Sequence, residues 1–196
     1  MTTINSSQVK ELRDRTGMGM MECKKALEES GGDAEGAIKI LKKSDLRIAD
    51  KKSARATSEG TVGYYIHSNK KVGVLVELNC ESDFVAKNEE FRELAHDLAM
   101  HIAASNPQYV DCGEVDKRII KEQIEEFKNQ FREEGKLEEI LDKISKEKAK
   151  KHFNGLCLIT QPFVKDPGKT VGDILVEKIS KLGENIKVKR FVRYEL

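Results

Sequence analysis

No run of apolar residues in this 196-residue chain approaches the roughly 20 needed to cross a bilayer as a helix. Met1 to Lys10 has neither an apolar core nor an Arg-rich amphipathic pattern. The expectation is therefore a cytoplasmic chain with no secretory or organelle signal in this form. Net charge is equally scarce: 35 Lys and Arg face 34 Asp and Glu. A protein whose whole surface binds nucleic acid or anionic membrane needs a basic face, so that class is excluded. Cysteine is limited to Cys23, Cys80, Cys112 and Cys157, widely scattered with no C-x-x-C pair. This reads as a set of buried thiols in a reducing cytosol.

The familiar chemical motifs are missing too. Gly168-Lys169-Thr170 ends like a phosphate-binding loop, but Phe163 stands where that loop requires its first glycine, and Pro167 suggests a plain turn. Gly17-x-Gly19 would need a third glycine where Glu22 stands, and it follows no strand. His67, His96, His101 and His152 have no cysteine at zinc-ligand spacing, and the last three read as surface or half-buried residues. Most carboxylates have Lys or Arg three or four residues away, the pattern of solvated helix faces. No cofactor, metal or catalytic residue is expected, and no tandem repeat at fixed spacing occurs.

What is present organises into two parts. Residues 1–45 predict three short helices. Asn5 with Gln8 three residues on starts the first, Gly17 and Gly19 end it, Met20 to Leu27 forms the second, and Asp33 caps the third. Residues 42–60, rich in Lys and Arg, read as a linker. Beyond Gly60 the period changes: Val62–His67 and Val72–Asn79 predict a hairpin around 68–71. Phe91, Leu94, Ala95, Leu98 and Ile102 then mark a long amphipathic helix ended by Asn106-Pro107. Residues 114–151 predict two further amphipathic helices separated at Gly135. Leu156 to Thr160 reads as a short strand, Val171 to Leu182 as a helix, and Ile186 to Tyr194 as a last alternating strand. The fold class is α+β: a helical bundle followed by a core with a small antiparallel sheet packed against helices.

Four segments carry a resemblance. Val9 through Leu27, containing Thr16-Gly17-Met18-Gly19-Met20-Met21, closely resembles the N-terminal signature of the elongation factor Ts family. Asn79-Cys80-Glu81-Ser82-Asp83-Phe84-Val85-Ala86 is similar to its second signature, with Ser82 where Thr is usual. Gln161-Pro162-Phe163-Val164 with Lys169-Thr170-Val171-Gly172, and Gly183-Glu184-Asn185-Ile186, also match. The resemblance implies that residues 1–55 are a bundle similar to ubiquitin-associated domains with its basic linker, and that 56–196 is the core. It implies exchange of guanine nucleotide on elongation factor Tu, bound in its GDP-bound and nucleotide-free forms, with no covalent chemistry. Longer family members duplicate the core. The single copy here resembles the short form, which implies a homodimer and a 2:2 complex.

The residue roles are likewise implied by the resemblance. Val9, Lys10, Arg13, Met20 and Met21 would make a patch on the partner's G domain. Adjacent residues on a helix point about 100° apart, so Met20 and Met21 cannot both face one core. Asp83 and Phe84 would project toward the partner's magnesium site, bordered by His67, Leu182 and Gly183. Read by pattern alone, Ser82 caps a helix and Phe84 staples it to its own core. The resemblance implies the reverse, an aromatic wedge directed outward. Three rivals remain on the residues alone: an adaptor built on the N-terminal bundle, a ribosome- or RNA-associated protein using the basic 42–55 stretch, and an enzyme with an unrecognised site, for which no spacing speaks. That stretch lacks the interleaved aromatics of base stacking, and no specific nucleic-acid partner is expected.

Overall fold

Asn5 opens the first helix with a reciprocal cap. Its side chain accepts the Gln8 N–H at 2.8 Å, and the Gln8 side chain accepts the Asn5 N–H at 3.0 Å. The computed structural model describes residues 4–196. Helix α1 (Ser6–Thr16) stops at Gly17, whose φ of 69° lies in the left-handed region that suits glycine. Helix α2 (Met20–Glu29) follows, and Asp33 caps α3 (Ala34–Lys52) by accepting the N–H groups of Glu35 and Gly36. Then come β1 (Glu59–Ile66), β2 (Val72–Cys80), α4 (Asp83–Lys87), α5 (Glu89–Ser105), α6 (Lys117–Glu133) and α7 (Glu138–Leu156). β3 (Pro162–Phe163), β4 (Asp166–Thr170), α8 (Val171–Leu182) and β5 (Lys187–Glu195) complete the chain. The architecture is α+β, as expected.

By its contacts the chain divides into two compact units. The first comprises the residues up to Gly60, Asn79–Asn88 and Leu175–Lys187. The second comprises Thr61–Leu78, Glu89–Ile174 and Val188–Leu196. The division expected at residues 55 and 56 runs along the chain; the compact units do not.

The first unit contains the helical bundle. Val9, Leu12, Met18, Cys23, Ala26, Leu27, Ala37 and Leu41 form its core, and each fully buried large side chain contributes about 1.5–3 kcal/mol. The expected linker from residue 42 is instead helical through Lys52. Its inward stripe is Leu41, Ser44, Asp45, Ile48 and Ala49, and two polar members hide the helical period. Asp45 is buried, and burial pushes its carboxyl above the ordinary range. The facing Ser180 hydroxyl offsets part of that rise, and Glu177 and Glu22 add to it.

In the second unit the sheet order is β1-β2-β5. The β1–β2 turn is closed by His67 N–H to the Val72 carbonyl at 2.9 Å and Lys70 N–H to the His67 carbonyl at 2.8 Å. Val74, Val76 and Leu78 alternate inward and are buried, as are Phe91, Leu94, Ala95, Leu98, Ala99 and Ile102 of α5. Gly63 lets α5 approach β1 closely: a Cβ there would lie 2.5 Å from the Ala95 carbonyl oxygen. Helices α6 and α7 pair as a hairpin, with Val115, Ala149, Phe153 and Cys157 at its foot.

Three expectations in this unit are corrected. Leu156–Thr160 is no strand: it is the end of α7 followed by a 3₁₀ turn over Leu158–Thr160, because the Thr160 hydroxyl folds back to the carbonyls of Asn154 (2.7 Å) and Cys157 (3.0 Å). Asp166–Thr170, read as a plain turn, is β4, paired antiparallel with β3. The four cysteines are not all thiols. Cys112 and Cys157, with Cα atoms 5.4 Å apart, form a disulfide, whereas Cys23 and Cys80 are free and buried. The pair is 45 residues apart in sequence, and the α6–α7 hairpin brings its two feet together.

His101 also departs from expectation by being fully buried. Its Nδ1 accepts the Val164 N–H at 3.2 Å, so its Nε2 carries the proton and donates to Gln161 Oε1 at 2.9 Å. Burial holds its pKa below the ordinary 6.5. The unfolded chain accepts a proton near 6.5 that the folded chain refuses. Stability is therefore kept above that value and lost as pH falls from 6.5 toward the lower folded-state pKa. The heat-denaturation midpoint should fall between pH 7 and about 5.5, and His101→Asn should flatten that slope.

Candidate partner-binding surface

The β2–α4 turn is held from three sides within the first unit. Ser82 caps α4, accepting the Val85 N–H at 3.5 Å. The Glu184 carboxylate accepts the N–H groups of Glu81 and Ser82, both at 3.0 Å, and the Ser82 hydroxyl at 2.5 Å. Glu81 in turn accepts the Asn185 N–H at 2.7 Å and pairs with Arg55 at 3.5 Å, while the Asn185 amide donates to the Arg55 carbonyl at 2.8 Å. The Cys80 thiol donates to the Ser82 carbonyl at 3.2 Å. Burial, with the Glu184 charge adding, pushes that thiol up to about 11, so it stays protonated and donating.

On this held turn, Phe84 is 83% exposed. The inward, stapling orientation that residue pattern favours is not adopted: Ala86 is the buried residue of α4. Asp83 is exposed and pairs with Lys87 at 2.7 Å, which holds its carboxyl below the ordinary range. Gly183 is exposed with φ of 75°, and its carbonyl accepts the Lys52 ammonium; Leu182 is half-buried.

The helix-turn-helix at the start of the chain presents a second group. Met20 and Met21 are 50% and 64% exposed, and the inward methionine is Met18. Lys10 and Arg13 are exposed and lie three apart on α1, hence on one face. A cleft of about 470 Å³ is lined by Arg13, Gly17, Met18, Gly19, Met20 and Glu22 with Ser180 and Lys181 of α8. The first signature is thereby joined to the helix that leads into Leu182 and Gly183. Val9 does not belong to this surface. It is 5% exposed and packs in the bundle core with Leu12, where it supports the patch from beneath. His67 lies in the second unit, exposed, with its Nδ1 3.1 Å from the Tyr65 hydroxyl.

Sequence reading missed Arg55, Glu81, Glu184 and Asn185 as groups that hold the turn. Three of them stand in quoted motifs, but the contacts that hold the turn span 26 to 130 residues, beyond any local pattern. Among the described residues, no group of three or more His, Cys, Asp or Glu could hold a metal ion, and no helix is long and apolar enough to cross a membrane.

A family model described as elongation factor TS matches residues 39–196. The elongation factor Ts of Thermodesulfovibrio yellowstonii is 50% identical over 193 residues, covering 98% of this chain and 96% of the relative. That of Thermosipho melanesiensis is 51% identical over 191 residues, covering 97% of each. That of Carboxydothermus hydrogenoformans is 50% identical over 193 residues, covering 98% of this chain and 89% of the relative. With half the residues shared along almost its full length, the chain belongs to the elongation factor Ts family.

Proposed function

We propose that this chain binds elongation factor Tu, in its GDP-bound and nucleotide-free forms, and accelerates GDP release so that GTP can rebind. The observation that carries this reading is Phe84, an aromatic side chain left 83% exposed on a turn held by hydrogen bonds. Leaving such a ring in water forfeits about 1.5–3 kcal/mol of burial. A large, stiff side chain with few rotamers is suited to wedging into a partner. Asp83 and Phe84 would displace groups around the magnesium ion of the GTPase. Without the metal's neutralising charge, the phosphates are held less tightly.

Linkage sets the sign of the effect. A GTPase holding GDP at nanomolar affinity binds it by about 12 kcal/mol. A partner speeds release only by favouring a state that holds nucleotide poorly, and nucleotide then weakens the partner by the same factor. Lys10, Arg13, Met20 and Met21 supply affinity, with polarizable methionines adapting to the partner's surface. His67, Leu182 and Gly183 border the contact. The first 55 residues carry the docking patch, and 56–196 carry the wedge and the dimer contact. The reading requires no cofactor and no covalent step on this chain, and it puts the chain to work in the cytoplasm.

A homodimer forming a 2:2 complex is part of the proposal. The outward face of the sheet supports it: Val62, Tyr64 and Ile66 on β1, Leu75 on β2, and Val192 and Tyr194 on β5 are all exposed. A solvated sheet face is normally polar. On the same face the Glu77 carboxylate is paired with Arg190 at 2.7 Å and Lys189 at 3.0 Å, which hold it below the ordinary range. A patch carrying apolar groups and both signs of charge can meet itself across a two-fold axis.

Release of fluorescent GDP from elongation factor Tu tests the reading. Phe84→Ala should lower the exchange rate by about 30-fold or more, with a melting curve shifted by no more than about 0.5 kcal/mol in stability. Full activity in that variant would refute the wedge. Met20→Ala with Met21→Ala should raise the concentration of chain needed for half-maximal exchange about tenfold and leave the maximal rate unchanged. Tyr64→Asp should halve the mass seen by sedimentation equilibrium, and a wild-type chain that sediments as a monomer would rule out the dimer.

A further inference from the structure

We infer that Glu184 is a positioning residue for exchange: its carboxylate sets the direction in which Phe84 projects. This rests on the exchange reading above. The geometry is specific. One carboxylate accepts two consecutive backbone N–H groups, from Glu81 and Ser82, at 3.0 Å each, and the Ser82 hydroxyl at 2.5 Å. Those groups lie two and three residues before Phe84. Every polar atom of Ser82 is thereby engaged: its N–H and hydroxyl by Glu184, its carbonyl by the Cys80 thiol and the Ala86 N–H, and its hydroxyl oxygen again by the Val85 N–H. The residue that sets the entry angle of α4 has no remaining freedom to rotate.

The ring's own helix does not hold it. α4 is only five residues long and buries one of them, Ala86, so its own packing cannot fix where Phe84 points. Glu184 itself is half-buried, whereas its neighbour Asn185 is fully buried. The role of Glu184 is thus separable from that of a core residue. Asn185 extends the same clamp by donating its N–H to Glu81 at 2.7 Å and its side-chain amide to the Arg55 carbonyl. A hydrogen bond to a charged acceptor contributes enough to set a turn's orientation, and misplacing a group that acts in the transition state costs rate while leaving the docking contacts in place.

The test is GDP release from elongation factor Tu, followed by stopped flow over a range of concentrations of the full chain. Glu184→Ala should lower the maximal release rate about 10- to 100-fold and change the half-saturating concentration by less than about twofold, because the methionine patch is untouched. In the Phe84→Ala background the same substitution should have no further effect, since there is no ring left to aim. Glu184→Gln keeps an oxygen that can accept the backbone N–H groups and should recover part of the rate. If Glu184→Ala fails to fold, the comparison of Glu184→Gln with wild type, each with and without Phe84, carries the same coupling. Wild-type exchange by both Glu184 variants, or a loss of rate that is equal with and without Phe84, overturns the inference while leaving the wedge intact. Full activity of Phe84→Ala alone overturns the wedge instead.

Discussion

A single carboxylate accepting two backbone N–H groups and a hydroxyl is the contact on which the candidate surface depends. Glu184 reaches the turn between β2 and α4 from a position about a hundred residues further along the chain, and Glu81 answers it by accepting from Asn185. Charge-assisted hydrogen bonds of this kind are shorter and stronger than neutral ones, and they act here on two half-buried polar residues that lie between the buried Cys80 and Ala86. The result is an exposed aromatic ring on a backbone that is nonetheless well determined.

Much of the architecture was legible because its causes are short-range. The Asn5–Gln8 cap, the Asp33 cap, the left-handed glycine after α1 and the apolar stripe of α5 each involve residues within a few positions of one another. Legibility failed where a distant partner decided the outcome. The period of α3 was hidden because its inward face includes Asp45, a buried carboxyl whose raised pKa is partly offset by Ser180 far along the chain. His101 looked like a surface residue until Gln161 and Val164 supplied its two hydrogen bonds. Leu156 to Thr160 has strand-like composition, yet a threonine hydroxyl turned back on two carbonyls makes it a tight turn. No spacing announces the Cys112–Cys157 pair.

The surface was readable to a different degree. Pattern alone would have put Phe84 inward, and only resemblance to a family turned it outward, where the structure has it. The same resemblance overreached at Val9, whose neighbours on α1 are exposed but whose own side chain fills the bundle. Adjacent methionines were a sound signal for a simple geometric reason: residues 100° apart on a helix cannot both be inside, and the third methionine nearby, Met18, takes the interior position. In the proposed exchange these features divide the work. Docking contacts that are equally good in every nucleotide state give affinity, and only the ring, by differing between states, gives rate.

The first unit is assembled from three stretches of chain that lie far apart. Lys52 meets the Gly183 carbonyl across 131 residues, and Asn185 meets Arg55 across 130. Contacts between such remote positions require large loops to close before they reward the chain, so their formation is slow relative to that of the α1–α3 helices. During synthesis the bundle can gather as soon as its own residues emerge, but the clamp around Ser82 must wait for the last dozen or so residues. A nascent or C-terminally shortened chain would thus carry the methionine patch well before it carried an aligned aromatic, and under the proposed exchange it would dock without the means to dislodge a nucleotide.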